Sequence, residues 1–175
     1  MPSHNEHKKC WVGINTSLPN KLIRNLIEAN CLEKQFGAIS RIKAEVVYGS
    51  EGKSRIDLLL ESENSNADSR NIYVEVKNTT WCDHSLALFP DTITTRGQKH
   101  LRELMGVCPD SRAVLIPCIS RYDMEIFAPG DSADPLYGEL FREALGKGVE
   151  VIPCSFGFFH DRITWEGVKP FKSYQ

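Results

Sequence analysis

Three ionisable residues carry the first sign of chemistry. Asp57 sits inside the apolar run R-I-D-L-L-L-E, and Glu75 and Lys77 lie inside I-Y-V-E-V-K. Read as two β-strands joined by a hairpin, these stretches send alternate side chains to opposite faces. Glu75 and Lys77 then share one face, while Val74 and Val76 share the other. On the first strand Ile56, Leu58 and Leu60 make one apolar set, and Asp57 falls opposite with Arg55, Leu59 and Glu61. Pairing of the two strands brings Asp57 and Glu75 together, with Lys77 one pleat away. Two carboxylates at the mouth of an apolar sheet are costly without a partner. A divalent cation is the natural occupant; Lys77 closing a structural ion pair is the plainer alternative.

The elements that must hold these residues follow from periodicity and punctuation. W-V-G-I-N reads as a short strand. Thr16 or Ser17 followed by Pro19 starts a helix of about three turns, with Leu22, Ile23, Leu26 and Ile27 at helical spacing. Ile39 to Tyr48 reads as a strand in which Glu45 alternates with Val47. Glu45 either faces the site of Asp57 or serves as a cross-strand partner for a cation. S-E-G-K-S is a turn, and residues 62–70 form a polar hairpin loop. After Lys77 the chain is expected to make a structureless connection of about sixteen residues, of the kind that is usually functional. A helix from Thr94 to Met105 follows, bearing Arg96, Lys99, His100 and Arg102 against Glu103. Its positive charge suits a phosphate backbone, although a solvated amphipathic helix has the same pattern.

The last third reads as strand, helix, strand. R-A-V-L-I-P-C-I is a buried strand by its unbroken apolar run. A helix opens with Asp134 as its cap and proline next, and V-E-V-I-P-C-S-F-G-F is another strand, with R-I-T-W as a short last one. This order implies a right-handed crossover and a parallel pair. The expected class is α/β: helix, three-stranded meander, helix, strand, helix, strand, forming a mixed β-sheet flanked by helices.

Length and composition bound the rest. A chain of 175 residues suits one domain, 11–175, behind a flexible polar tail at 1–10. A net charge of −2 argues against a generally basic nucleic-acid coat but not against a local patch. Without a run of about eighteen apolar residues or a signal-peptide core, a cytoplasmic protein with no membrane partner is expected. Six cysteines without a C-x-x-C give neither a zinc ribbon nor a redox pair. His4, His7 and Cys10 have metal-ligand spacing, but in a polar tail of this composition the match is read as fortuitous.

Asp57, then Glu75-Val76-Lys77, after a helix and one strand and before another helix, resembles the PD-(D/E)XK nuclease superfamily. G-I-N-T-S-L-P-N-K-L-I, E-V-V-Y-G, S-R-I-D-L-L-L, Y-V-E-V-K-N-T-T and F-P-D-T-I-T-T-R-G-Q-K-H-L-R-E-L resemble the sugar fermentation stimulation protein family, as does A-L-G-K-G-V-E-V-I-P. The resemblance runs from about Gly13 to Ile152. It implies a restriction-endonuclease-like core, binding of DNA, and a link to regulation of sugar (maltose) utilisation genes in bacteria.

On that reading Asp57, Glu75 and the carbonyl of Val76 hold one Mg²⁺ or Mn²⁺, with Glu45 as an additional ligand. Lys77 orients the attacking water. Arg96, Lys99 and His100 contact phosphate, and Arg55 joins them or orients Asp57. Two departures stand out. Ile56 precedes Asp57 where the superfamily has proline, and the core is expected to stand without the family's usual N-terminal OB-like domain. A homodimer would be one way to widen the binding surface. The rival readings are a catalytically silent DNA-binding transcriptional regulator and a structural domain whose Asp57–Lys77 pair is an ion bridge. DNA or RNA, single or double strand, and endo- or exonucleolytic action are left open.

Overall fold

The computed structural model describes residues 10–49, 52, 54–63 and 68–175. His4 and His7, and parts of the expected turn at 50–54 and loop at 62–70, lie outside the described residues. Helix α1 (Leu18–Glu28) and the short α2 (Glu33–Phe36) lead into a meander of β1 (Ile39–Tyr48), β2 (Ser54–Ser62) and β3 (Ile72–Thr79). A hairpin of β4 (Trp81–Asp83) and β5 (Leu86–Phe89) precedes α3 (Thr95–Val107) and β6 (Arg112–Ile119). Then come β7 (Ile126–Pro129), α4 (Pro135–Gly146), β8 (Glu150–Val151), β9 (Cys154–Phe158) and β10 (Ile163–Val168).

The main sheet is mixed, in the order β1-β2-β3-β6-β9-β10, with β8 also on β6. The meander is antiparallel, and β3–β6 and β6–β9 are parallel, joined across α3 and α4. The α/β class and the mixed sheet between helices are thus as expected. On one face, Ile23, Leu26 and Ile27 of α1 pack on Leu58, Leu60, Val74 and Val76. On the other, Leu101 and Leu104 of α3 and Phe141 of α4 pack on Leu59 and Leu115. With helices over both faces, β6 is buried at seven of its eight positions, which is why its sequence is apolar without alternation.

The helix starts are punctuated by their caps. The Thr94 hydroxyl accepts from Gly97 N at 3.0 Å at the start of α3. Asp134 caps α4 through Tyr137 N at 3.1 Å, and also accepts from Thr94 N at 2.9 Å and Gln98 Nε2 at 3.0 Å. One buried carboxylate therefore ties the two helix starts together, fixing α3 over the end of β3 that carries Glu75 and Lys77. Gly97 permits this approach: a Cβ there would meet the Thr94 and Tyr137 side chains at 2.7 and 3.2 Å.

Four expectations are corrected. The connection after Lys77 is not structureless: β4 and β5 pair through His84-Ser85 and join β7 in a three-stranded second sheet. W-V-G-I-N contributes only an isolated bridge, Trp11 to Phe158. The strand read over 149–158 is split at Ile152-Pro153, where proline has no N–H to extend a ladder. Ile56, Leu58 and Leu60 are all buried but not as one set, since Ile56 packs with the α3 cluster and the other two with α1. Strand β2 thus turns about its axis at Asp57. Among the described residues, no helix is long and apolar enough to cross a membrane.

Candidate functional site

The turn in β2 is what exposes the site. The β2–β3 ladder pairs Leu60 with Ile72, Leu59 with Tyr73 and Leu58 with Val74, and goes no further. The same register continued would set Asp57 opposite Glu75. Instead of a backbone carbonyl, the N–H of Val76 finds Asp57 Oδ2, at 2.7 Å. Asp57 Oδ1 accepts from Asn20 Nδ2 of α1 at 2.8 Å. The carboxylate therefore occupies the gap where the two strands part, held from β3 and from α1.

Glu75 is 2% exposed, on the α3 side. Its Oε1 accepts from Lys77 Nζ at 2.6 Å and also contacts His100 Nδ1. Lys77 Nζ stands 3.1 Å from the same His100 nitrogen. An ionised carboxylate only accepts, so Nδ1–H and the ammonium both donate to Oε1. Glu75 Oε2 is buried with no hydrogen-bond partner among the described residues. All the anchoring of this side chain is spent on one oxygen.

The two acids titrate in opposite directions. Burial, then the charge of Glu75, raise the Asp57 carboxyl above its usual range, against the Val76 N–H, Asn20 and Lys77. Burial also pushes Glu75 up, but the His100 hydrogen bond and the Lys77 charge outweigh it and hold the group below its usual range. Tyr48, 6% exposed, has its phenol raised by burial and by the charges of Glu75, Glu103 and Asp57.

The remaining candidates separate. Arg55, Arg96, Lys99 and His100 line one groove of about 570 Å³ together with Glu45. His100 closes its inner wall, being 6% exposed and committed to Glu75, so it sits within the acid cluster and not on the exposed basic face. Asp57 is oriented by Asn20 and Val76, whereas Arg55 lies out along the groove. Glu45 sits across from Asp57 in the β1–β2 register, between the pairs Ala44–Leu58 and Val46–Ile56. It is exposed, with φ of +54°, a left-handed conformation uncommon for a non-glycine residue inside a strand. Glu45 shares the wall of one groove with Asp57, and among the described residues no three His, Cys, Asp or Glu side chains cluster as metal ligands.

Asn20 is the site residue that sequence reasoning missed. A polar residue in the first turn after a proline gives no sign that it faces a strand 37 residues on. The role of His100 was also hidden, because R-G-Q-K-H reads as a uniformly basic face until the core side of α3 is known.

Comparison with known proteins gives a consistent result. Residues 17–162 match the family model described as the sugar fermentation stimulation protein RE domain. The chain is similar to a sugar fermentation stimulation protein homolog of Prochlorococcus marinus (strain NATL1A), 79% identical over 99% of this chain and 68% of the relative. For the homolog of Parasynechococcus marenigrum (strain WH8102), identity is 68%, over 93% of this chain and 64% of the relative. A solved structure of Pyrococcus furiosus SfsA in complex with Ca²⁺ superposes with a TM-score of 0.79 at 27% identity, covering 91% of this chain and 66% of that one. The chain spans about two thirds of the length of these relatives.

Proposed function

The chain belongs to the sugar fermentation stimulation protein family, and on that premise we propose that it is a divalent-metal-dependent nuclease of PD-(D/E)XK type acting on DNA. One observation carries the reading. Glu75 Oε2 is buried and, among the described residues, without a hydrogen-bond partner, while Oε1 takes both Lys77 and His100. A buried carboxylate oxygen left bare costs stability unless a cation completes it. Two carboxylates and a backbone carbonyl are hard oxygen donors, which suit Mg²⁺ or Mn²⁺ with waters retained. That the Pyrococcus relative was solved with Ca²⁺, another oxygen-seeking ion, supports the same chemistry.

Asp57, Glu75 and the Val76 carbonyl would hold the ion, which when bound polarises the scissile phosphate and lowers the pKa of a bound water. Lys77 supplies a fixed point charge against the negative charge that develops on the phosphate. His100 grips Glu75 Oε1, which would leave Oε2 as the oxygen available to the ion. Arg96, Lys99 and Arg55 bind flanking phosphates along the groove. On this assignment His100→Ala weakens divalent-ion affinity by about 10–100-fold, the usual cost of removing a group that orients a metal ligand. His100→Asn, able to donate to Glu75, recovers part of the loss; calorimetric titration with Mn²⁺ measures both. Equal affinity in all three proteins would remove His100 from the site.

The experiment that tests the function is cleavage of single- and double-stranded DNA and RNA with Mg²⁺ or Mn²⁺, against the same mixtures with EDTA. Cutting only with the ion supports the nuclease and names its substrate. Metal-dependent binding without cutting would replace it with a regulator, in keeping with the sugar-utilisation association. Cutting that persists in EDTA would refute the metal assignment.

A further inference from the structure

Two grooves approach the acid pair: His100, in contact with Glu75, lines one, and Asp57 lines the other. The larger is the groove of Arg55, Arg96 and Lys99 on the α3 side. On the other side, a groove of about 150 Å³ is walled by Asn20, Lys21 and Arg24 of α1 and by Asp57 itself. Glu45 forms part of both walls. Arg24 also borders a third groove, of about 290 Å³, that continues to Arg41 at the start of β1 and includes Glu28. Cavities thus run from α3, past Asp57, along α1 to the edge strand, sharing a residue at each junction.

Resting on the nuclease reading, we propose that Lys21, Arg24 and Arg41 form a second phosphate-binding track, so that a nucleic-acid strand is gripped on both sides of Asp57. Asn20 holds Asp57 Oδ1, and Lys21 is the next residue in the chain. Lys21 and Arg24 are three apart on α1 and so share one face, the face that carries Asn20's neighbour groove. Lys21 is exposed and makes no ion pair among the described residues. Arg24 pairs with Glu28 at 2.8 Å, but the two side chains are 44% and 48% exposed. Such a pair contributes little and gives way to a phosphate. A strand held only on the α3 side would end at the acids. One held on both sides has no need of an end, so the track makes the cut internal.

The test uses a fluorescein-labelled single-stranded DNA oligonucleotide and its duplex, titrated against the full chain carrying Lys77→Ala in Mg²⁺. Adding Lys21→Glu and Arg24→Glu is expected to lower affinity at least about tenfold and to flatten the salt dependence by about two phosphate contacts. Both residues are exposed, so the melting temperature stays that of the parent. Alongside, the unsubstituted protein is expected to open covalently closed single-stranded circles with Mg²⁺ or Mn²⁺. The track is refuted if the α1 variant binds like its parent while Arg96→Glu with Lys99→Glu weakens binding. It is equally refuted if linear strands are trimmed from their ends and circles survive. If the parent binds neither probe, the nuclease reading falls and the track falls with it.

Discussion

Lys77→Ala is expected to cut the rate of metal-dependent cleavage by about 10²–10³-fold, the cost of removing one fixed charge aimed at a developing oxyanion. Its response to divalent ions should survive. Lys77 donates to Glu75 Oε1, not to Oε2, and His100 still holds Oε1 when the ammonium is gone. The cation would in fact meet a less neutralised carboxylate. Lys77→Arg should not rescue the rate, because a planar guanidinium cannot reproduce a compact ammonium 2.6 Å from Oε1 and 3.1 Å from His100 Nδ1. The measurement is single-turnover cleavage beside a thermal melt with and without Mn²⁺. A rate within about threefold of the parent would make Lys77 an ion-pair partner of Glu75 and nothing more. A variant that loses both cleavage and the Mn²⁺ response would place the ammonium in the architecture of the metal site.

What the sequence disclosed, and what it hid, divides along one physical line. The meander, α1, α3 and α4 were legible because each carries its own local signal. Asp134 with Pro135, Thr94 before a helical stripe, and period-two alternation in β3 need no partner to be recognised. The hairpin of β4 and β5 has strands of three and four residues and a His84-Ser85 turn in place of Asn-Gly, so it depends on β7 for its existence. Nothing near residue 85 announces a strand at 126. The site shows the same contrast. Hairpin register, a local property, sets Asp57 opposite Glu75, although β2 breaks its alternation at Asp57. Asn20 and His100 reach the site from elements packed on opposite faces of the sheet, and only tertiary contact reveals them. At Glu45 the left-handed backbone is what alternation cannot foresee.

Asp57→Asn should leave the metal-free protein more stable than its parent at neutral pH and deprive it of any gain from divalent ions. Burial and the neighbouring Glu75 raise the Asp57 carboxyl in the folded state. A raised acid contributes stability that is fully present below its unfolded pKa and is lost as pH rises through the folded one. At neutral pH the folded protein therefore carries an ionised group its surroundings disfavour. Asparagine keeps the shape and an acceptor for the Val76 N–H, and Asn20 can turn its amide to offer oxygen to the new NH₂. The metal-free variant is expected to melt about 2–4 °C higher, the shift of about 1 kcal/mol in a domain of this size. That advantage should shrink as pH falls through the folded pKa of Asp57, because a protonated aspartate is already neutral. Glu75 has the opposite sign: its carboxyl is lowered, so its stabilisation is present above its unfolded pKa and lost on acidification, in parent and variant alike. With Mn²⁺ at about a hundred times its dissociation constant the parent gains about 2.7 kcal/mol, and the variant gains nothing. The order of melting temperatures then inverts between EDTA and Mn²⁺. A variant that melts below its parent in EDTA, by the same margin at every pH, would make Asp57 a structural acceptor joining β3 to α1. Inversion requires a group kept at a cost in the empty site and repaid by the ion, which no purely structural aspartate provides.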